Sequence, residues 1–172
     1  MRTLTDQLTQ YAAYHRDRRN IATHFIGIPL IVLALAALLS RPAWNFGATL
    51  ELTPAWLLFA AATLYYLLLD VPLGIGMAVF SACCVAFGEW TAAQPTPVWL
   101  AIGVGLFVIG WVFQFVGHIR YEHRKPAFVD DIVGLLIGPL FVLAELLFGF
   151  GMRRDLHDAI ETRLASQPRT SD

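Results

Sequence analysis

The chain of 172 residues is poor in charge. Only 15% of its residues are Asp, Glu, Lys or Arg, and the formal net charge is −1, whereas soluble domains carry about 25% charged residues. Without a basic excess there is no electrostatic footprint for nucleic acid, and we expect no such partner. Hydrophobic residues make up 57% and the mean hydropathy is +0.59, which is typical of a membrane protein.

Cysteine and the common catalytic motifs are also scarce. Cys83 and Cys84 are adjacent within an apolar run, so they offer no spaced disulfide framework, and we interpret both as small buried hydrophobes. No CxxC pair, phosphate-binding glycine loop or serine triad pattern occurs. No cleavable signal peptide is apparent either, because a long polar stretch precedes the first apolar run.

What the sequence has instead is long apolar runs, and a membrane-spanning helix needs about 20 mainly apolar residues. The runs cover residues 21–39, 54–69, 71–87, 97–116 and 128–150. Asp70 separates the second run from the third, since a charge at the bilayer centre costs about 2.5–3.5 kcal/mol. We therefore predict an all-α fold, a multi-pass transmembrane helical bundle with four or five spans.

The last apolar run has two interpretations, because Gly138 and Pro139 interrupt it. It is either one span or a segment broken at this dipeptide and re-entrant, which other helices must then cover. Residues 152–165 follow with the spacing of an amphipathic helix. We expect residues 1–165 to form a single integral membrane domain and residues 166–172 to be a disordered tail.

Charge asymmetry predicts the orientation. Arginine and lysine are concentrated in the N-terminal segment, in the 117–127 connection and in the C-terminal tail, and such residues favour the cytoplasmic side. Four crossings between residues 24 and 117 return the chain to its starting side. We expect the N-terminus and the 117–127 connection to be cytoplasmic, in a bacterial inner membrane, while the side of the tail stays open.

Four of the five histidines lie in two clusters that this parity places on one face of the membrane. His15 and His24 flank the start of the first span, and His118 and His123 follow the fourth. Neutral imidazole suits iron, zinc, copper and nickel. A site for one of these metals is therefore a hypothesis, with haem or purely structural border histidines as alternatives. His157 lies in the charged tail and is interpreted as a solvated side chain.

Spacing limits which histidines can share an ion. On a helix His118 shares a face with Glu122, four residues later, whereas His123 is rotated away by roughly 140°. His15 and His24 are nine residues apart and could meet only if the helix breaks near Asn20 or Thr23. The glycines of the apolar runs are interpreted as positions of close helix packing rather than ligand binding; they include Gly103, Gly105 and Gly110.

Two motifs around these histidines carry a resemblance to a known family. They read Tyr11-x2-Tyr14-His15-x4-Asn20-x3-His24-x2-Gly27-x-Pro29 and Gly110-Trp111-x-Phe113-Gln114-Phe115-x-Gly117-His118-x3-Glu122-x-Arg124-x-Pro126-Ala127. With these motifs the chain resembles the 2-hydroxy fatty acid dioxygenase family, small multi-pass membrane proteins of about this length. The resemblance covers nearly the whole chain, and the second motif is the more specific.

The resemblance implies an Fe(II)-dependent oxidoreductase that uses molecular oxygen to shorten 2-hydroxy fatty acids by one carbon, which is α-oxidation. It makes His15, His24 and His118 the leading iron ligands and catalytic residues. Glu122 also falls on a family position. His123 departs from the family pattern and ranks below the others, so the choice between Glu122 and His123 as a further ligand stays open.

Other residues receive roles consistent with that chemistry. Asn20 is expected to orient a ligand histidine through a hydrogen bond, and Arg120 or Arg124 to attract the substrate carboxylate. The substrate's 2-hydroxyl and carboxylate would chelate the iron, with the acyl tail among the apolar helices. The rival functions are a small metal-ion or proton transporter and a non-catalytic structural membrane protein. Oligomer formation stays open.

Overall fold

The computed structural model describes residues 3–46, 50–122 and 133–166. Seven helices dominate this part of the chain, which confirms the prediction of an all-α fold, and one short antiparallel hairpin joins the second and third helices. In chain order the elements are α1 (Leu4–Tyr14), α2 (Arg18–Leu39), β1 (Trp44–Phe46), β2 (Leu50–Leu52), α3 (Pro54–Leu69), α4 (Val71–Ala92), α5 (Thr96–Gly117), a π-helical turn (His118–Glu122), α6 (Val133–Gly149) and α7 (Arg154–Ser166).

Several of these helices fit a multi-pass integral membrane protein. In the described ranges three helices are long and apolar enough to cross a bilayer: α2, α4, and α5 together with the π-helical turn. The α6–α7 pair would add a fourth span, although it is bent by 112°. The remaining apolar helix, α3, has 16 residues, slightly fewer than the usual span.

The last apolar run is not broken where the sequence suggested. Helix α6 continues through Gly138 and Pro139, and the sharp bend comes after its end, where Gly151 has a φ of +71°. A proline weakens the preceding helical turn by removing a backbone donor. Here the Tyr66 hydroxyl donates to the carbonyl of Leu136 at 2.6 Å, which supplies a hydrogen bond to that turn from a neighbouring helix.

Helices α2 and α5 pack antiparallel through a line of glycines spaced seven residues apart on α5. A Cβ atom at any of these positions would overlap α2, so the backbone of α5 lies directly against α2. The opposing residues are Leu38 for Gly103, Gly27 and Ile31 for Gly110, and Asn20 and Thr23 for Gly117. We call this contact the glycine seam. A Cβ atom on Gly105 would have no heavy atom of the described residues within 4 Å, so the predicted packing role of Gly105 is wrong.

The C-terminal helix α7 packs on the bundle as an amphipathic helix. Leu156 and Ile160 are buried in the main hydrophobic cluster. Arg153 makes two hydrogen bonds, of 2.7 and 2.8 Å, to Asp70 at the start of α4. The Arg153 guanidinium thereby holds the pKa of Asp70 below its usual value. Residues 167–172, most of the predicted disordered tail, lie outside the described ranges.

The two cysteines differ from each other. Cys84 is buried and Cys83 is exposed, so the expectation that both are buried is wrong for Cys83. Successive residues of a helix point about 100° apart, and only one of two neighbours can therefore face the core when a helix packs on one side.

The glycine seam can be tested by adding one methyl group to it. Gly110→Ala would place a Cβ 2.7 Å from a side-chain carbon of Ile31 and 2.9 Å from the Gly27 carbonyl oxygen. Forcing the helices apart should cost about 1–3 kcal/mol, measured as a lower midpoint of thermal unfolding in detergent.

Gly105→Ala on the same helix is the matched control. Alanine is the better helix former by up to about 1 kcal/mol, and no heavy atom of the described residues lies within 4 Å of its methyl group. Its unfolding midpoint should be unchanged or higher. Equal destabilisation by both substitutions would contradict close packing at the seam.

Candidate metal centre

A short break between α1 and α2 positions the first histidine. His15 is the C-cap of α1, and Asp17 begins α2 by accepting a hydrogen bond from the backbone N–H of Arg19 at 2.8 Å. The predicted break near Asn20 or Thr23 is therefore placed too late. Thr23 lies inside α2, where its hydroxyl donates to the carbonyl of Asn20 instead of capping a helix.

Three histidines from three different elements meet beside this break. The ring centroids of His15 and His24 are 4.5 Å apart, and His118 lies 4.9 Å from the first and 5.0 Å from the second. All three are buried, with exposures of 3%, 0% and 3%. The structure thus brings His118 to the two histidines of the first cluster, as the count of crossings predicted.

Backbone carbonyls set the orientation of two of the rings. Nδ1 of His15 lies 2.7 Å from the carbonyl of Tyr11, and Nδ1 of His24 lies 2.9 Å from the carbonyl of Asn20. A carbonyl can only accept, so each Nδ1 carries the proton and each Nε2 keeps its lone pair. Both Nε2 atoms are buried and find no hydrogen-bond partner in the described part of the chain.

These nitrogens fit a metal ion. One ring nitrogen from each histidine falls within 4.8 Å of the other two. Nitrogen ligands lie about 2.0–2.1 Å from a bound metal, so two of them on one ion are at most about 4.2 Å apart, and the group need contract only slightly. Burial lowers the pKa of His15 to about 4, which keeps it in the neutral form that a metal requires.

Glu122 does not join the three histidines. Its Oε1 accepts hydrogen bonds from the backbone N–H groups of Arg16 and Asp17, both at 2.8 Å, and from the side-chain amide of Asn20 at 3.3 Å. The expected shared face with His118 assumed a regular helix, but this segment is a π-helical turn. Glu122 instead ties that turn to the α1–α2 break.

The remaining predicted residues differ in where they lie. Asn20 is fully buried, and it contacts His24 through its backbone carbonyl rather than its side chain. Arg120 is exposed on the π-helical turn. His123 and Arg124 lie outside the described residues. His157 lies on α7 beside Asp158, at 3.7 Å, and takes no part in the centre.

An apolar cavity of about 270 Å³ reaches the histidines between α2, α5 and α6. Its walls are mostly aliphatic and aromatic, and His15 and His118 stand at its polar end. Tyr11 also lines it and stacks on His15, with ring centroids 4.1 Å apart. The sequence motifs contain Tyr11 and Gln114 without indicating a role for either. Gln114 also lines the cavity and precedes His118 by one helical turn.

Comparisons with known proteins identify relatives of the chain. The family model described as "2-hydroxy-palmitic acid dioxygenase Mpo1-like" matches residues 1–150. The 2-hydroxy-palmitic acid dioxygenase MPO1 of Saccharomyces cerevisiae is 30% identical over 167 residues, which cover 96% of this chain and 92% of that protein. No solved structure matches the chain.

Glu122 can be tested as a structural clamp against the alternative of a metal ligand. Glu122→Ala removes an acceptor of three hydrogen bonds, two of them from backbone N–H groups. We expect a loss of about 2–3 kcal/mol in the metal-free protein, measured by thermal unfolding after chelation. Glu122→Gln keeps one acceptor oxygen and should lose roughly half as much.

A metal ligand would behave in the opposite way. If Glu122→Ala left the unfolding midpoint of the metal-free protein unchanged but removed the stabilisation that added metal provides, the clamp would be wrong. Glu122 would then be a ligand.

Proposed function

The chain belongs to the Mpo1-like family of 2-hydroxy-palmitic acid dioxygenases, and from this premise we propose that it is a membrane-embedded Fe(II)-dependent dioxygenase. Its substrates would be 2-hydroxy fatty acids and molecular oxygen, and its product the fatty acid one carbon shorter. The observation that carries the proposal is the buried group of three histidines at the end of an apolar cavity.

His15, His24 and His118 are the proposed iron ligands. Their buried imidazoles each bring one ring nitrogen within 4.8 Å of the other two, and Nε2 of His15 and of His24 has no hydrogen-bond partner among the described residues. Such nitrogens are suitable donors to iron. The iron would supply the redox chemistry that oxygen requires, as in other non-haem Fe(II) oxygenases. The residues around it hold the ligands: the carbonyls of Tyr11 and Asn20 keep two rings in one tautomer.

The cavity suits the acyl tail of the substrate. Along α2 its lining runs from Ile28 to Leu35, which corresponds to roughly 10 Å of helix, and includes Ile31 and Val32. A tail placed among these side chains leaves the polar end of the fatty acid at the histidines. Water is excluded from the reacting end by the same apolar packing.

The charges of the chain indicate which side of the membrane the metal centre faces and how the substrate acid approaches it. We propose that the centre faces the cytoplasm of a bacterial inner membrane, because the segments that hold the histidines carry most of the arginines. Arg120, exposed on the π-helical turn, and Arg124 are proposed to attract the acid to the membrane surface. His123 is retained as a possible fourth ligand, and Asn20 as a positioning residue.

The direct test is turnover by protein purified anaerobically in mild detergent and loaded with Fe(II). With 2-hydroxypalmitic acid and oxygen, we expect the acid one carbon shorter, detected by mass spectrometry. Single substitution of His15, His24 or His118 by Ala should reduce both bound iron and product by more than about 100-fold, a larger effect than the loss of an outer hydrogen bond.

His157→Ala is the control for these variants, because it removes a histidine that lies apart from the centre. It should keep full iron content and full turnover. Absence of the shortened acid in folded, iron-loaded wild-type protein would contradict the dioxygenase. Metal flux in proteoliposomes would then favour the transporter, and its absence a structural role.

Chain-length preference tests the proposed tail site. Leu35→Trp would fill the end of the cavity farthest from the histidines, so turnover of long 2-hydroxy acids should fall more than turnover of short ones. Val104→Trp, on the exposed face of α5, is the matched control and should not change the preference. Equal losses at all chain lengths with Leu35→Trp would place the tail elsewhere.

A further inference from the structure

One polar side chain in the cavity remains without a structural role. Gln114 lies in the last turn of the apolar helix α5 and is only 6% exposed. Its amide nitrogen, Nε2, is buried and has no hydrogen-bond partner within residues 3–46, 50–122 and 133–166. A buried donor left unpaired costs about 1–3 kcal/mol, so its retention here calls for a ligand that pairs with it.

The packing holds this amide in a defined place. A Cβ on Gly27 would be only 2.5 Å from Nε2 of Gln114, so the amide occupies the space left by the missing side chain in α2. Gln114 is one helical turn before His118 on the same face of α5, and both residues line the cavity with His15. Gln114, with its amide packed against Gly27, therefore lines the same cavity as two of the histidines.

The chemistry of the lining indicates which group the amide binds. No arginine or lysine of the described residues lines the cavity, and Arg120 is exposed on the π-helical turn. Apart from the proposed iron, an acid entering tail-first therefore meets only neutral donors for its carboxylate. Hydrogen bonds from a neutral donor to an ionised acceptor are among the stronger ones in proteins.

We propose that Gln114 is a substrate-binding residue whose amide N–H donates to the carboxylate of the 2-hydroxy fatty acid. This inference rests on the proposed function and deepens it, because it names the group that recognises the acid end of the substrate. It assigns carboxylate recognition to a buried neutral amide, and leaves to the exposed arginine only the attraction of the acid to the membrane surface.

The test is equilibrium binding without oxygen, so that no turnover takes place. Tritiated 2-hydroxypalmitic acid and its methyl ester are titrated against the iron-loaded protein in nanodiscs. Gln114→Met keeps the length and shape of the side chain but lacks the donor. We expect the variant to bind the acid about 10- to 100-fold more weakly and to bind the ester within about threefold of the wild type.

Two further variants keep the outcome interpretable. Gln114→Leu repeats the loss of the donor with a different shape, and Gly27→Ala displaces the same amide from the side of α2. Each should weaken binding of the acid more than binding of the ester. Iron content and the unfolding midpoint are measured for each variant, and only folded, loaded protein is compared.

The results separate this inference from the proposed function. Wild-type affinity for the acid in folded Gln114→Met, or an equal loss for acid and ester, would overturn the role of Gln114 even if the wild type turns over. If the wild type binds the acid through Gln114 but never shortens it, the carboxylate site stands and the dioxygenase does not.

Discussion

The contact on which the rest of the structure depends is the glycine seam between α2 and α5. Because the helices touch through backbone atoms at Gly27 and Gly110, they can slide little along each other. Gly117 is thereby held opposite Asn20 and Thr23. His118 follows Gly117 directly along the chain. The packing of α5 on α2 therefore places it beside His24. Small residues at helix contacts are a common device in membranes, where apolar helices gain little by leaving lipid.

The position of His15 depends on a different constraint, which is the short break between α1 and α2. It lets α1 pack beside α6, so that Tyr11 contacts Phe141 and stacks on His15. Glu122 pairs with the free backbone donors of the break and joins it to the π-helical turn. Two buried imidazole nitrogens have no hydrogen-bond partner among the described residues. A bound metal would coordinate both nitrogens and so stabilise the folded protein.

Much of this arrangement could be predicted from the sequence, because it depends on the hydrophobic runs and on whether the number of membrane crossings is even or odd. The ends of α3 follow from Pro54 and Asp70, and four crossings suffice to bring His118 to the face of His24. Local backbone geometry could not be predicted in the same way. The break at His15, the π-helical turn before Glu122 and the continuity of α6 through Pro139 depend on hydrogen bonds from distant residues, which spacing does not reveal. The unpaired amide of Gln114 became visible only with its neighbours in place.

The central claim is that His15, His24 and His118 hold one iron ion, and X-ray absorption at the iron edge tests it most directly. Anaerobic protein loaded with one equivalent of Fe(II) should give a spectrum with nitrogen and oxygen neighbours and the outer scattering of three imidazole rings. Single His→Ala variants treated in the same way should lose this pattern, because they are expected to lose the bound iron. A spectrum with fewer than two imidazoles, or with sulfur neighbours, would contradict the account, because the iron would then be bound elsewhere.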